Sequence, residues 1–295
     1  MPFEDFTHNA DWKSTLYTDA PWAALPPFHY LPFEDWNSGK AARFFTRDTF
    51  HIFRLGIARN FIASSVLFLA FDGFFDSEGD GVSVDARLSR AWSSFSLWCD
   101  TMRQTTSGIR SFSKEKFHFP TTTSFPWCGC KGSDSIVLIK WLRWFSGLNL
   151  ATHPDSQALQ WIVRACDCGL AFQGIHRHGI FLDQQCRDTL SWNCKEFLHC
   201  YARLAKQSFS LKRTLFAMVP KAHSYAHIYH ALESSLQGKA CNPALYDCSM
   251  SEDFVGRVAR QSRRLSYRHT VENTLLAYKI KTKLVIQHFQ KQRKL

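Results

Sequence analysis

Residues 48–71 read DTFHIFRLGIARNFIASSVLFLAF. Ile52, Leu55, Ala58, Ile62, Ser65, Val66 and Leu69 recur at spacings of three and four, the period of one helix face. Asp48 stands where a helix N-cap belongs. The stretch predicts an amphipathic helix, and the same period continues outward from it. A loop with four acids and three glycines, Asp72 to Val84, leads to a second helix marked by Val84, Leu88, Ala91, Trp92, Phe95, Trp98 and Met102. The polar, Pro-broken stretch from Thr105 to Gly132 carries Phe112, Phe117, Phe119, Phe125 and Trp127 and predicts a short strand or two. Beyond it, Ser133 caps a helix to about Phe145, Pro154 opens one to about Gly174, and residues 183–207 form another. Pro220 suits the first turn of a helix to about Leu236, followed by a short helix from Glu252 and a long one from Thr270. Upstream, Pro21, Pro26, Pro27 and Pro32 break residues 1–46 into an extended arm that packs its aromatics onto another surface. The fold class expected is mainly α: about eight helices around one Phe-rich core, few short strands, and the arm.

The chain has 295 residues, 26 of them Phe, and its composition is that of a folding sequence with ample material for a core. The net charge of +11 is unevenly placed. Residues 257–295 hold eleven Lys or Arg against one acid, Glu272, whereas the first 256 residues are nearly balanced. This gives a division into an arm (1–46), a helical body (47–256) and a basic helical C-terminal region (257–295). Met1-Pro-Phe-Glu-Asp has acids where a signal peptide needs cations. The longest apolar run, Phe61 to Phe71, is half a membrane span. Ten cysteines without a secretory signal read as reduced core thiols. An intracellular location, the nucleus included, is expected, with no membrane partner.

Several constellations invite chemistry. Asp76, Glu78, Asp80 and Gly81 follow an EF-hand register, which fails where Ser83 and Arg87 replace the apolar anchor and the closing Glu. Cys128-Gly-Cys130, Cys166-Asp-Cys168 and His176-Arg-His178 have spacings of two, poor for a helical chelate, and buried thiols are the favoured reading. His223, His227 and His230 share one helix face, but Ser224 stands where a metalloprotease helix needs Glu, so a hydrogen-bonding face is favoured and no metal is assigned. No phosphate-cradling loop, serine-hydrolase elbow or kinase signature occurs, so no nucleotide cofactor is expected. In the basic region, Arg257, Arg260, Arg264 and Arg268 recur on one face, with Phe254, Val258 and Leu265 placed to pack inward. Lys279 and Lys283 mark one side of the last helix, opposite Val271, Leu275, Tyr278, Val285 and Phe289. Such stripes suit a polyphosphate backbone, DNA or RNA, or an acidic protein surface.

Two blocks carry a resemblance. Arg47-Asp48-Thr-Phe-His51-Ile-Phe-Arg-Leu55-Gly56-Ile57 is similar to the D-x-(M/L/F)-H-x-x-x-L-G block of RNase H-like DDE transposases, the CACTA-type and related groups. Val219-Pro220-Lys221-Ala-His223 with His227 resembles their P-K-x-H-x-x-x-H helix, and Ser251-Glu252-Asp253-Phe254-Val255-Gly256-Arg257 stands where the final acid follows. The texture is also similar to multicopy families of eukaryotic microbes. The resemblance implies a truncated or diverged C-terminal part of such a mobile-element transposase, with residues 60–220 as the helical insertion. It implies Asp48 and Glu252 or Asp253 as catalytic carboxylates, with His51, His223 and His227 lining the site. Mg²⁺ would be the only cofactor, in DNA strand transfer or nuclease chemistry. Placed before a helix, Asp48 itself reads as a cap whose charge His51 shares. The function expected is therefore electrostatic nucleic-acid binding through Arg257, Arg260, Arg264, Arg268, Lys279 and Lys283, without autonomous catalysis. The alternative is a helical protein-interaction scaffold whose basic tail meets an acidic partner. A continuous basic surface including Lys212, Arg213 and Lys221 would mark the first, and an exposed apolar groove the second.

Overall fold

A computed structural model describes residues 5–7, 9–20, 22–27, 29–31, 36–39, 46–79, 81–234, 240–263 and 269–292. Among them are eight α-helices and two two-residue strands, a mainly α architecture. The helices are α1 (Ala58–Phe71), α2 (Val84–Thr101), α3 (Gly132–Thr152), α4 (Gln157–Gln173), α5 (Gln184–Ser210), α6 (Pro220–Glu233), α7 (Ser249–Ser262) and α8 (Thr270–Gln292). The chain divides into two compact units, Met1–Tyr246 and Asp247–Leu295. Pro21, Pro32, Asp80, Arg264, Leu265 and Arg268 lie outside the described residues.

In the first unit residues 50–71 form a kinked helical rod. Its first part, Phe50–Ile57, is π-wound and kinks at Gly56, after which α1 runs on to Phe71. Asp48 serves the start, its Oδ1 accepting from the Phe50 amide at 2.9 Å. From Phe50 to Phe71 the rod is long and apolar enough to cross a membrane by length and composition, but 78% of its most apolar window is buried inside the fold. It is a core helix on which the others pack: α2 and α3 lie against α1, α3 and α6 against the π-wound segment, and α4 and α5 continue the bundle.

Local chemistry starts the helices. Ser83 Oγ accepts from the Ala86 amide at 3.2 Å, Ser156 Oγ from Leu159 at 3.4 Å, and Asp183 from Cys186 at 2.8 Å, each satisfying an orphan amide of a first turn. Pro220 occupies the first turn of α6. At α3 the expected cap differs. Ser133 bonds no backbone amide of that turn; the buried Asp134 carboxylate instead takes the amides of Ser107 and Gly108 at 2.8 and 2.9 Å, and the helix continues seven residues beyond Phe145 to Thr152.

The strands expected between Thr105 and Gly132 are absent from the described residues. That stretch spends its backbone on isolated links, Trp127 to Phe117, Cys128 to Arg59 and Gly129 to Lys116, so no ladder can run. Its Phe112, Phe117 and Phe119 are buried, whereas Phe125 and Trp127 are exposed. The two strands are instead Phe181–Leu182 and Ala240–Cys241, antiparallel, with Phe181 opposite Cys241.

The core is aromatic in two connected groups. Phe53 meets Phe172, Phe197 and Tyr225 with ring centroids 5.2 to 5.5 Å apart, and Gly169 on α4 leaves room for its ring. Trp141 lies among Phe75, Phe95, Phe112 and Phe145. The arm adds Phe6 and Trp12 to this core through a single 3₁₀ turn at Asp11–Lys13, and the Tyr229 hydroxyl donates to the Phe6 carbonyl at 3.1 Å. All ten cysteines are free thiols, and seven of them are buried.

The second unit contains α7 and α8, which pair with the Phe254 and Tyr278 rings edge to face at 5.2 Å. Inward packing of Phe254 and Val258 is only partial: Phe254 remains 46% exposed and Val258 half-buried, whereas Thr274 on α8 is buried.

Candidate functional site

The two sequence blocks, Asp48–Ile57 and Val219–His227, pack against each other although more than 160 residues separate them. The chain kinks at Gly56, and the Lys221 side chain lies over that glycine, donating from Nζ to the Leu55 carbonyl at 3.3 Å. Burial holds the Lys221 ammonium below its usual range, the Arg59 charge adds to this, and Asp48 opposes it. Asp48 uses Oδ1 on the Phe50 amide and Oδ2 on His51 Nδ1 at 2.5 Å, one residue before the N-cap position at Thr49. Glu252 and Asp253 lie in the second unit on α7, where Asp253 pairs with Arg257 at 2.6 Å.

One turn further along α6, His223 Nε2 and His227 Nε2 are 2.9 Å apart. Trp12 covers them, its ring 4.8 Å from His223, 4.6 Å from His227 and 5.6 Å from His230. Burial pushes His227 down to about 3, helped by the positive field of Arg47 and by His223 and His230. His230 is lowered too, first by burial and then by Lys13. His227 and His230 are thus neutral at pH 7, and His227 shares one hydrogen bond with His223. Two such nitrogens could chelate a soft divalent cation, but no third His, Cys, Asp or Glu ligand joins them among the described residues.

A half-buried base with a depressed pKa makes stability depend on pH. Above the unfolded pKa of about 6.5 both states leave His227 neutral; as pH falls toward 3 the unfolded chain binds the proton first, so stability is lost. The slope is at most about 1.4 kcal/mol per pH unit and is reduced by solvent at the half-buried ring. His227→Gln is expected to flatten the fall in urea midpoint between pH 6.5 and pH 4.5; an unchanged fall would show that His227 does not carry it.

Beside this cluster the first unit holds a cavity of about 200 Å³ lined by Tyr17, Arg47, His227, Ile228, Leu232 and Tyr246, among others. Of these the sequence reading singled out His227 alone. Arg47 adjoins Asp48 in the chain, but that its side chain belongs to a cavity depends on the arm returning over α6. The EF-hand-like loop is differently employed: Arg87 grips Asp76 with two hydrogen bonds of 2.7 and 2.6 Å, and Arg90 adds a third.

In the second unit the cations are open to solvent. Arg257 and Arg260 on α7, Arg263 just after it, and Lys279, Lys281 and Lys283 on α8 are exposed. So are apolar side chains of α8: Val271, Leu275, Leu276, Ile280, Leu284, Val285, Ile286 and Phe289 are each more than half exposed. Tyr278, Thr282, Lys283 and Ile286 help to line a shallow groove of about 460 Å³. In the first unit, Arg213 is tied to Asp72 at 2.6 Å over the Phe68 and Phe71 rings, and Lys221 to Leu55, so neither extends a basic surface freely. Compared with protein-family models, with curated proteins and with solved structures, the chain finds no match in any of the three.

Proposed function

We propose that this chain is a helical scaffold whose C-terminal hairpin docks an acidic, amphipathic segment of another protein. The observation that carries the reading is the exposure of apolar side chains along α8 between lysines. Exposed contiguous apolar surface is costly in water, and a phosphate backbone would leave it uncovered. A helix with Leu or Phe anchors and flanking Glu would cover the apolar positions and neutralise Lys279, Lys281 and Lys283. A second copy of the hairpin would bring like charges together, which disfavours self-association. The tie between Arg213 and Asp72 and the turn of Lys221 toward Leu55 also favour this over a basic surface spanning both sequence regions. Catalysis is no part of the proposal.

Nucleic-acid binding by a diverged transposase relative is the second reading, supported by the density of exposed Arg and Lys on α7 and α8. One experiment separates them. The full chain is titrated by fluorescence anisotropy with a labelled synthetic helix carrying Leu at i, i+3, i+4 and i+7 and Glu beside them, and in parallel with a labelled DNA duplex. Ile286→Ser with Leu284→Ser is expected to weaken peptide binding about tenfold or more, from two lost apolar anchors. Tight duplex binding that falls steeply with salt and ignores the serine pair, with no peptide binding, would overturn the scaffold reading.

A further inference from the structure

The cavity beside His227 is a built site that the docking function does not use. We propose that it binds a small organic monocarboxylate, an anion with a compact apolar body. Arg47 is the reason for the anion. It lines the cavity half-buried, makes no ion pair among the described residues, and its charge acts on a neutral imidazole, His227. A guanidinium in such a position is left with donors in a fixed fork, which matches the two oxygens of a carboxylate. The apolar body is given its place by the rest of the lining, Ile228, Leu232 and Pro243, with Tyr17 and Tyr246. Tyr17 is held at φ +62°, a backbone conformation that non-glycine residues adopt at a cost.

The charge state selects the ligand class. Arg47 is the one cation lining the cavity among the described residues, because His227 remains neutral there. A phosphate dianion would retain an uncompensated charge against apolar walls, whereas a carboxylate is matched one to one. At about 200 Å³ the cavity is below the roughly 300–1,000 Å³ of drug-sized sites, so the ligand is a short acid rather than a nucleotide or a long acyl chain. The Nε2 of His227 is already engaged with His223, which leaves Arg47 as the principal polar contact.

The test is isothermal titration calorimetry on the full chain at pH 7 with benzoate, hexanoate and benzamide as probes. Benzoate or hexanoate is expected to bind at least about tenfold more tightly than neutral benzamide, the value of one charge-assisted pair. Arg47→Gln is expected to remove that preference, with near-UV circular dichroism unchanged. Ala231→Phe, at an exposed lining position, is expected to block both acids with Arg47 intact. Equal affinities for benzoate and benzamide, or acid binding that survives Arg47→Gln, would overturn the proposal. Absence of heat from both acids at millimolar concentration would do the same. None of these outcomes depends on the hairpin, so the scaffold reading stands or falls separately.

Discussion

Phe53→Ala is expected to lower the stability of the first unit by about 3–5 kcal/mol. Phe53 is fully buried, and its ring touches three others, Phe172 from α4, Phe197 from α5 and Tyr225 from α6. Removing it opens a void at the point where three helices converge on the π-wound segment. The neighbours cannot collapse into the void easily, because Phe197 and Tyr225 are themselves held by other rings, Phe61, Tyr201 and Phe172. That places the cost toward the upper part of the range. Gly169, whose missing side chain leaves room for the Phe53 ring, offers a check: Gly169→Ala adds a methyl 3.0 Å from Phe53 Cζ and should destabilise the parent more than it does the Phe53→Ala chain. Urea denaturation followed by tryptophan fluorescence reads both. In the second unit Phe254→Ala removes a ring that is already 46% exposed and should cost less than half as much. A Phe53→Ala loss under about 1 kcal/mol would mean that this convergence is not the centre of the core.

The elements that were legible in the sequence are those governed by neighbours along the chain. Pro220 marks the start of α6 through chemistry confined to one turn, and the starts expected for α2 and α5 hold, whereas α4 begins at Gln157 behind a Ser156 cap and not at Pro154, which lies in the preceding turn. The periodicity of Ile52 to Leu69 likewise gives a helix, although its amphipathic reading does not hold: Phe61 through Ala70 are buried on every face, because other helices pack all around α1. What escaped depends on distant residues. Phe112, Phe117 and Phe119 resemble strand residues by composition, yet Arg59 and Asp134 take the backbone bonds that a ladder would need. The cap of α3 passed from Ser133 to Lys131, with no side-chain bond to help, because Asp134 was drawn to Ser107 and Gly108. The cavity was invisible for the same reason: Tyr17, Arg47 and His227 come from the arm, a helix entry and α6, and nothing local links them. Of the candidate site, the pairing of Asp48 with His51 was legible at three residues' separation, whereas Trp12 over the histidines was not. Charge clustering was legible as well, but the exposure of Leu276, Ile280 and Ile286 beside it is a property of a two-helix unit with too little chain to bury them.

Gly56→Ala is the second large effect, and it ties the fold to the cavity. A methyl at this position would lie 2.7 Å from the His51 carbonyl oxygen and 2.7 Å from Lys221 Cδ. The lysine is a flexible side chain and can withdraw. The carbonyl belongs to the backbone of the π-wound segment itself and can move only if that segment rewinds. A π-wound turn holds one residue more than an α-turn spanning the same hydrogen bonds, so rewinding shifts everything upstream in register, Asp48 and Arg47 included. The expected cost is about 3 kcal/mol, the upper end for forced overpacking, read from the urea midpoint. Benzoate binding should weaken with it, since Arg47 leaves its place beside His227. The double variant with Lys221→Ala distinguishes the two contacts. If the carbonyl is the obstacle, removing the lysine side chain recovers little of the lost stability. If the double variant returns to the stability of Lys221→Ala alone, the lysine was the obstacle and the π-wound turn is not what Gly56 protects. Phe50 supplies an independent reading, because its ring packs on Gly132 at the start of α3 and would be displaced by the same rewinding. A Gly132→Ala substitution would meet that ring at 2.5 Å in the parent, and after rewinding it should be tolerated better than in the parent.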